Sequence, residues 1–194
     1  MNCLQLAEHQ QEKAWNLIRE TGIRTIWESI GAEVRLVGSL KTGLLMKHRD
    51  IDFHIYTAEL NIADSFRAAA RIAQLPSVLR MEYRNGIFTD EHCIEWHAWL
   101  SDPDGEEWQL DMIQILRNSE YDGYFERVAD RIISVLTPET RNAILQLKYD
   151  TPESEHIMGI EYYQAVIRDG VREWADFVRW RREHPVSGIV EWCP

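Results

Sequence analysis

The sequence predicts an α+β fold, in which a mixed or antiparallel β-sheet with flanking helices is followed by a C-terminal helical subdomain. Two observations support this prediction. Segments with the alternation of β-strands are confined to residues 34–116, whereas residues 121–183 have the composition and start signals of helices. We therefore expect a boundary near residue 119, with a sheet-containing domain over residues 1–119 and a helical subdomain over residues 120–194.

Two helices are predicted before the first strand. Apolar residues keep helical spacing from Leu4 to Glu20, and Gly22 stands where a C-terminal cap belongs. A shorter helix is predicted over Ile23–Ile30. Between the second and third strands, Ala58–Gln74 has helical composition, and Pro76 is expected to end that helix.

Five segments alternate polar and apolar residues in the manner of strands. They are Val34–Val37, Asp50–Tyr56, Val78–Tyr83, Ile94–Leu100 and Trp108–Leu116. The sequence Asp102-Pro103-Asp104-Gly105 predicts a turn, so the last two strands are expected to pair in antiparallel orientation. Three helices are predicted after the sheet, two of them with threonine-proline start signals. They are Tyr121–Leu136, Pro138–Tyr149 and Pro152–Glu183.

The composition is that of a globular protein with an acidic surface. The 194 residues are 45% hydrophobic and carry a formal net charge of -11. This charge disfavours long nucleic acids as partners, because non-specific binders present clustered Lys and Arg to the phosphates. A small-molecule or protein partner fits the charge better.

The cysteines and the N-terminus indicate the compartment. Cys3, Cys93 and Cys193 are odd in number and lack metal-binding spacing, so we expect free thiols. Residues 1–13 lack the apolar run of a signal peptide, and no segment has the roughly 18 apolar residues that span a bilayer. A cytoplasmic protein without membrane attachment is expected.

Asp50 and Asp52 carry the strongest functional signal. They begin a strand in which side chains alternate faces, so both carboxylates project to one side while Ile51 projects to the other. Two like charges this close repel unless a cation lies between them, and carboxylate oxygens suit Mg²⁺ or Mn²⁺. Gly38-Ser39 ends the preceding predicted strand.

A third acid, Asp111, is isolated within the predicted strand Trp108–Leu116. If that strand lies beside Asp50–Tyr56, the three carboxylates can hold two metal ions about 3.5–4 Å apart, the spacing used for in-line phosphoryl displacement. Glu95, in the neighbouring predicted strand, is an alternative third acid or a solvent-facing residue.

These residues resemble the pattern of the nucleotidyltransferase superfamily, which includes DNA polymerase beta, CCA-adding enzymes and aminoglycoside or lincosamide nucleotidyltransferases. The matching pieces are Gly38-Ser39, Asp50-Ile51-Asp52 and the later strand aspartate Asp111. The similarity covers about residues 33–115 and implies that residues 1–119 form the catalytic domain.

The resemblance also implies a role for each residue. Asp50 and Asp52 would bind both metal ions, and Asp111 would bind the catalytic ion and help to deprotonate the attacking hydroxyl. Gly38 and Ser39 would hold the triphosphate, because a glycine turn lets backbone N–H groups approach it closely. Additional positive charge would come from lysines, for which the candidates are Lys41, Lys47 and Lys148.

The implied activity is Mg²⁺-dependent transfer of a nucleoside monophosphate from a nucleoside triphosphate, with ATP the expected nucleotide. The acceptor would be a hydroxyl of a small molecule or protein, with pyrophosphate released. A non-catalytic, nucleotide-binding regulatory module of the same fold is an alternative. Arg179 and His184 also resemble the arginine-histidine signature of HEPN-type ribonucleases, a short match that leaves an RNA-directed toxin or antitoxin component as a further alternative.

The histidines do not favour a zinc site. His48, His54, His92 and His97 lack the helical spacing of paired ligands, and no cysteine recurs at a zinc-knuckle interval. His54 lies on the same strand face as Asp52, so we expect it to contact substrate or to orient a carboxylate.

Overall fold

The structure is a computed structural model that describes residues 2–186, 188 and 190–194. In this part of the chain, five β-strands form one mixed sheet. The strands are β1 Glu33–Val37, β2 Asp50–Thr57, β3 Val78–Gly86, β4 Cys93–Ser101 and β5 Glu107–Leu116. Each of the five segments predicted from the sequence forms one of these strands.

Neighbouring strands follow the order β1-β2-β5-β4-β3. Only β2 and β5 run parallel, and the other neighbours are antiparallel. The turn between β4 and β5 is held by Asp102, whose Oδ1 accepts the backbone N–H groups of Asp104 and Glu106, both at 2.9 Å. The predicted α+β class and the antiparallel pairing of the last two strands are confirmed.

The helices of the described residues lie close to their predicted positions, except the short helix after β1 and those after residue 151. The helices are α1 Cys3–Thr21, α2 Ile23–Glu28, α3 Gly38–Lys41, α4 Ile62–Ile72, α5 Tyr124–Val135, α6 Pro138–Asp150, α7 Gly159–Tyr163 and α8 Trp174–Glu183. Gly22 ends α1 in the left-handed conformation, with φ 60°. The start of α4 was predicted too early, because the side chain of Asn61 accepts the N–H of Asp64 and caps the helix there.

The prediction of one helix over Pro152–Glu183 is wrong. Residues 152–158 are irregular, α7 continues only into a π-helical turn over Gln164–Arg168, and Gly170 has a φ of 71°. A left-handed glycine ends a helix, because glycine has no Cβ to oppose that conformation. The chain starts a separate helix at Trp174.

One face of the sheet is apolar and packs with α1, α2 and α4 in a buried cluster. On β2 the inward residues Ile51 and Phe53 are 0% and 1% exposed. Trp27 of α2 is fully buried in this cluster, and its indole N–H donates to the sulfur of Met112 on β5 at 3.3 Å. Because side chains alternate along a strand, the polar residues of β2 lie on the opposite face.

A second apolar cluster joins the C-terminal helices to earlier parts of the chain. Ala7 of α1 and Leu44 and Met46, which follow α3, belong to the same buried cluster as Ile144 of α6. Residues of α5, α7 and α8 complete it. The helices after the sheet are thereby fixed beside the segment that leads into β2. That residues 120–194 form a separate subdomain stays a prediction.

Two further predictions concern the cysteines and membranes. Cys3, Cys93 and Cys193 are free thiols, as predicted. Of the residues that the structure describes, none belongs to a helix with the length and apolarity needed to cross a bilayer.

Candidate active site

Asp52 and Asp111 lie opposite each other on the adjacent parallel strands β2 and β5. In the same register Asp50 lies opposite Gln109. Residues two apart in a strand share a face, so all three carboxylates project from the face of the sheet opposite the apolar core. The strand of Asp111 is therefore a direct neighbour of the strand of the other two acids.

The carboxyls of Asp50 and Asp52 lie in partly buried surroundings. Burial raises the pKa of both, the negative charge of Asp111 raises it further, and the ammonium of Lys148 opposes the rise. Oδ1 of Asp50 is buried and has no hydrogen-bond partner among the described residues. A buried carboxylate oxygen without a donor is unfavourable unless a cation meets it.

Gly38 brings the backbone against the carboxylate of Asp52. A Cβ at Gly38 would lie 1.8 Å from Oδ2 of Asp52, and the φ of Gly38 is 69°, which L side chains rarely adopt. Both features require glycine at this position. Ser39 follows at the start of α3 and is 8% exposed. Gly38 therefore lies directly against Asp52.

Lys148 of α6 is the candidate lysine that acts on the acids. It is partly buried, and its Nζ donates to the carbonyl oxygen of Leu44 at 2.9 Å. The same ammonium lies 5.7 Å and 5.6 Å from the ring centroids of Tyr162 and Tyr163. The C-terminal helices thus supply a positive charge to the site.

The other two candidate lysines are engaged elsewhere. Lys41 forms an ion pair with Asp130 of α5 at 3.0 Å. Lys47 donates to the carbonyl oxygen of Thr151 at 2.7 Å. Lys148, and neither of these two lysines, is among the main causes of the shifted pKa values of the acids.

The third acid, Asp111, is held by two neighbours. Nδ1–H of His97 donates to Oδ1 of Asp111 at 2.5 Å, and Nε2 of Gln109 donates to the same oxygen at 2.8 Å. The hydrogen bond to Asp111 raises the pKa of His97, although burial of the imidazole opposes the rise. The other oxygen, Oδ2, accepts no hydrogen bond from the described residues.

Glu95, the alternative third acid, lies on β4 and is not a neighbour of Asp52 in the sheet. Its carboxylate pairs with Arg84 of β3, which also binds Glu91 at 2.9 Å. Within the described chain, Glu91, Cys93 and Glu95 form the group of three possible metal ligands that lie within 4.8 Å of one another. The guanidinium of Arg84 already offsets part of the charge of these two carboxylates, so this cluster is a weaker candidate for a cation than the aspartates.

The three aspartates differ from that cluster in geometry and in charge balance. Their oxygens are not all within 4.8 Å of one another, so a shared cation would draw the side chains together by rotamer changes. The donor set consists of carboxylates, which Mg²⁺ and Mn²⁺ prefer. With the partnerless Oδ1 of Asp50, these residues fit a divalent cation.

The comparisons with known proteins concern structure alone, since no protein-family model and no curated protein matches the sequence. The chain matches Cid1, an RNA terminal uridylyl transferase, with a TM-score of 0.56 and 12% identity over 84% of this chain and 50% of that one. It matches a structure of the GLD-2/RNP-8 complex with a TM-score of 0.55 and 12% identity, over 82% and 60% of the two chains. A Cid1 poly(U) polymerase structure gives a TM-score of 0.51 and 15% identity, over 84% and 51%.

The chain has the nucleotidyltransferase fold. The fold predicted from the sequence resemblance is confirmed by these structures. At 12% to 15% identity the likeness concerns the fold. The chain spans between 50% and 60% of the length of these structures.

Two neighbours of the acids in this nucleotidyltransferase fold, His97 and Gln109, were not recognised as site residues from the sequence. A signal for His97 was present. The predicted turn joins β4 to β5 with Ser101 opposite Glu107, and counting back along both strands places His97 opposite Asp111. No comparable signal marks Gln109, because which residue binds a neighbouring carboxylate depends on its rotamer.

His54 follows Asp52 by two residues on β2, and its contacts are with α5. It is 7% exposed, its Nδ1 has no hydrogen-bond partner, and burial lowers its pKa to about 4. Its nearest acidic group is Glu126 of α5, at 3.7 Å. The imidazole is thus a neutral, buried contact between the sheet and α5.

Arg179 and His184 have partners of their own at α8. Arg179 forms an ion pair with Asp176, whereas His184 donates to the carbonyl oxygen of Trp180 at 2.9 Å and stacks on that indole. Both side chains therefore make local contacts within and just after the helix.

Proposed function

We propose that the chain is a Mg²⁺-dependent nucleotidyltransferase that moves a nucleoside monophosphate from a nucleoside triphosphate to an acceptor hydroxyl and releases pyrophosphate. One observation carries the proposal. Asp52 and Asp111 lie in register on adjacent parallel strands, and Asp50 lies on the same face. Gly38, which has no side chain, lies against Asp52. Metal-assisted phosphoryl displacement requires such a set of carboxylates on one face.

Asp50, Asp52 and Asp111 would hold the divalent cations, which neutralise the phosphates and favour an attacking alkoxide when bound. The chain's own residues have separate tasks. Asp111 offers a free oxygen, Oδ2, to accept the proton of the acceptor hydroxyl, since Oδ1 is already engaged. Lys148 supplies a fixed positive charge for the triphosphate, and burial strengthens its effect.

The triphosphate lies on the β1 side of the acids in this proposal. Gly38 and Ser39 follow β1, and Gly38 lies against Asp52, so this backbone would meet the phosphate oxygens. ATP is the expected nucleotide.

The acceptor then approaches over β5 and β4. In-line displacement requires the attacking hydroxyl to lie opposite the leaving pyrophosphate, and β5 and β4 lie beyond the acids on that side. Arg80 on this face stacks on Trp99 at 3.6 Å and pairs with Glu82, while Arg84 pairs with Glu95. Because each arginine is balanced by an acid, the face has no excess of positive charge for a phosphate backbone. This favours a small-molecule or protein hydroxyl as acceptor.

The 3′ hydroxyl of an RNA is the second candidate acceptor. The structural neighbours favour it, since Cid1 is described as an RNA terminal uridylyl transferase. This runs against the expectation, drawn from the charge of -11, that long nucleic acid is an unlikely partner. The two acceptors differ in one respect that can be measured, because only RNA transfer is lost when a 3′ hydroxyl is blocked.

The test is incubation with each of the four nucleoside triphosphates, labelled at the α-phosphate, in Mg²⁺. Acceptors are the chain itself, a protein extract, a metabolite extract, and short RNAs with free or blocked 3′ ends. We expect labelled product and released pyrophosphate, both lost in Asp111→Asn and kept in the control Asp104→Asn, an exposed turn residue. Thermal stabilisation by the Mg²⁺-nucleotide complex without any product would instead support the non-catalytic regulatory module.

A further inference from the structure

We propose that His97 and Gln109 are positioning residues for Asp111. They fix its carboxylate so that Oδ2 alone faces the reacting groups. The inference rests on the proposed function and deepens it. It names two further side chains that orient Asp111, the residue that accepts the proton of the acceptor hydroxyl.

Both donors reach one oxygen. His97 donates from Nδ1 to Oδ1 of Asp111 at 2.5 Å, and Gln109 donates from Nε2 to that same oxygen at 2.8 Å. An ionised carboxylate is symmetric, so a single bond would still let either oxygen turn toward the site. Two donors on Oδ1, one from each of two strands, restrict that freedom, because rotating the carboxylate would break both bonds.

The fold supplies the two donors from different strands. His97 lies directly opposite Asp111 on the antiparallel neighbour β4, and Gln109 precedes Asp111 by two residues on the same face of β5. Asp52 occupies the remaining side, on the parallel neighbour β2. His97 therefore braces Asp111 from the side away from Asp52, and Gln109 braces it from along its own strand.

The imidazole of His97 is itself held in orientation. Its second nitrogen, Nε2, lies 3.5 Å from Oε2 of Glu95, and Glu95 is paired with Arg84 of β3. A fixed partner on Nε2 determines which way the ring presents Nδ1. A chain of contacts thus runs from the edge strand β3 to the oxygen of Asp111.

The test uses full-length variants that remove each donor with little change in size. His97→Leu and Gln109→Met delete the hydrogen bonds, and His97→Asn restores a side-chain donor. Controls are His9→Leu, on the exposed face of α1, and Gln146→Met, which removes a glutamine-to-aspartate bond on the exposed side of α6. Circular dichroism and melting curves exclude variants that fail to fold.

Two readouts are compared, and only one depends on turnover. With the acceptor found above, we expect kcat to fall about 10- to 100-fold in His97→Leu and Gln109→Met, with the KM for the nucleotide unchanged. Electron paramagnetic resonance counts Mn²⁺ bound in the presence of a non-hydrolysable nucleotide. We expect the donor variants to bind the last Mn²⁺ ion only at a higher Mn²⁺ concentration than the wild type. Their affinity for the nucleotide should stay at the wild-type value.

His97→Asn should recover part of kcat and of the Mn²⁺ affinity, which a purely structural role of the imidazole does not predict. Wild-type kcat in both donor variants, or an equal rise in the KM for the nucleotide, would overturn the positioning role. Should the wild-type chain transfer no nucleotide at all, the proposed function fails, and the Mn²⁺ count still decides the positioning role.

Discussion

Asp52 on β2 and Asp111 on β5 face each other across the only parallel strand pair of the described sheet. The two aspartates are distant in sequence, and the pairing of β2 with β5 brings their carboxylates to one face. Like charges placed this way oppose folding of the metal-free chain and favour divalent cations.

Asp52→Asn is expected to stabilise the metal-free protein while it abolishes transfer. Removing one charge relieves repulsion at the site, and we expect a gain of about 0.5–2 kcal/mol in the free energy of unfolding in EDTA. Mg²⁺ should raise the melting temperature of the wild type, because it binds the folded state, but not that of the variant. A less stable variant in EDTA would contradict the repulsion.

The raised pKa of Asp52 predicts the direction of the pH dependence. The pKa of Asp52 is raised in the folded chain, mainly by burial, so the folded state binds a proton more tightly than the unfolded state. Stability in EDTA should therefore fall as pH rises from the ordinary carboxyl range through the raised pKa. Asp52→Asn should show a weaker loss over that interval in denaturant titrations.

Gly38→Ala is expected to abolish transfer, because its Cβ would collide with Oδ2 of Asp52 at 1.8 Å. The control is Gly170→Ala, which has a similar φ of 71° and no neighbouring atom within 4 Å. Both substitutions carry the backbone cost of about 1 kcal/mol for the left-handed conformation. Only Gly38→Ala should also lose Mg²⁺-dependent stabilisation; equal effects in the two variants would remove the special role of Gly38.

Lys148→Met is expected to weaken binding of the Mg²⁺-nucleotide complex about tenfold, since it removes a charge-assisted contact to phosphate. Lys41→Met is the matched control, because Lys41 pairs with Asp130 instead. Isothermal titration with a non-hydrolysable nucleotide measures both affinities. A larger loss in Lys41→Met than in Lys148→Met would reverse the assignment of the two lysines.

Asp102→Asn is expected to destabilise the fold by about 3 kcal/mol, because it removes a buried charge that pairs with Lys13 at 2.8 Å and accepts two backbone N–H groups. The control Asp104→Asn also contacts Lys13, but its side chain is 68% exposed, so a change below about 1 kcal/mol is expected.

The destabilisation caused by Asp102→Asn depends on pH. Although burial opposes it, hydrogen bonds from Lys13 and from the turn lower the pKa of Asp102. Its stabilisation is complete above the unfolded carboxyl pKa of about 4 and is lost as pH falls through the lower folded value. The difference in stability between wild type and Asp102→Asn should therefore shrink in acid and stay constant near neutrality; a difference that persists in strong acid would contradict it.

The sequence was sufficient for the strands and for the acids of the candidate site. Alternation places Asp50 and Asp52 on one face without any knowledge of the tertiary structure, and an isolated acid such as Asp111 stands out in an apolar strand. The turn at residues 102–105 even determines which residue of β4 faces Asp111.

Other features depend on tertiary contacts that no local pattern records. The strand order puts β5 between β2 and β4, and only that order makes Asp111 a neighbour of Asp52. The break at Gly170 was missed because apolar residues on both sides continue helical spacing across it. The sequence does not distinguish Lys148 from Lys41 as a source of positive charge at the site. Their different contacts follow from how α6 and α5 pack.

The most direct test is a crystal structure with Mn²⁺ and a non-hydrolysable nucleoside triphosphate, with data collected for the anomalous signal of manganese. We expect peaks between the carboxylates of Asp50, Asp52 and Asp111, with the triphosphate against Gly38-Ser39. Manganese bound instead among Glu91, Cys93 and Glu95, or no manganese at the three aspartates, would contradict the proposed chemistry.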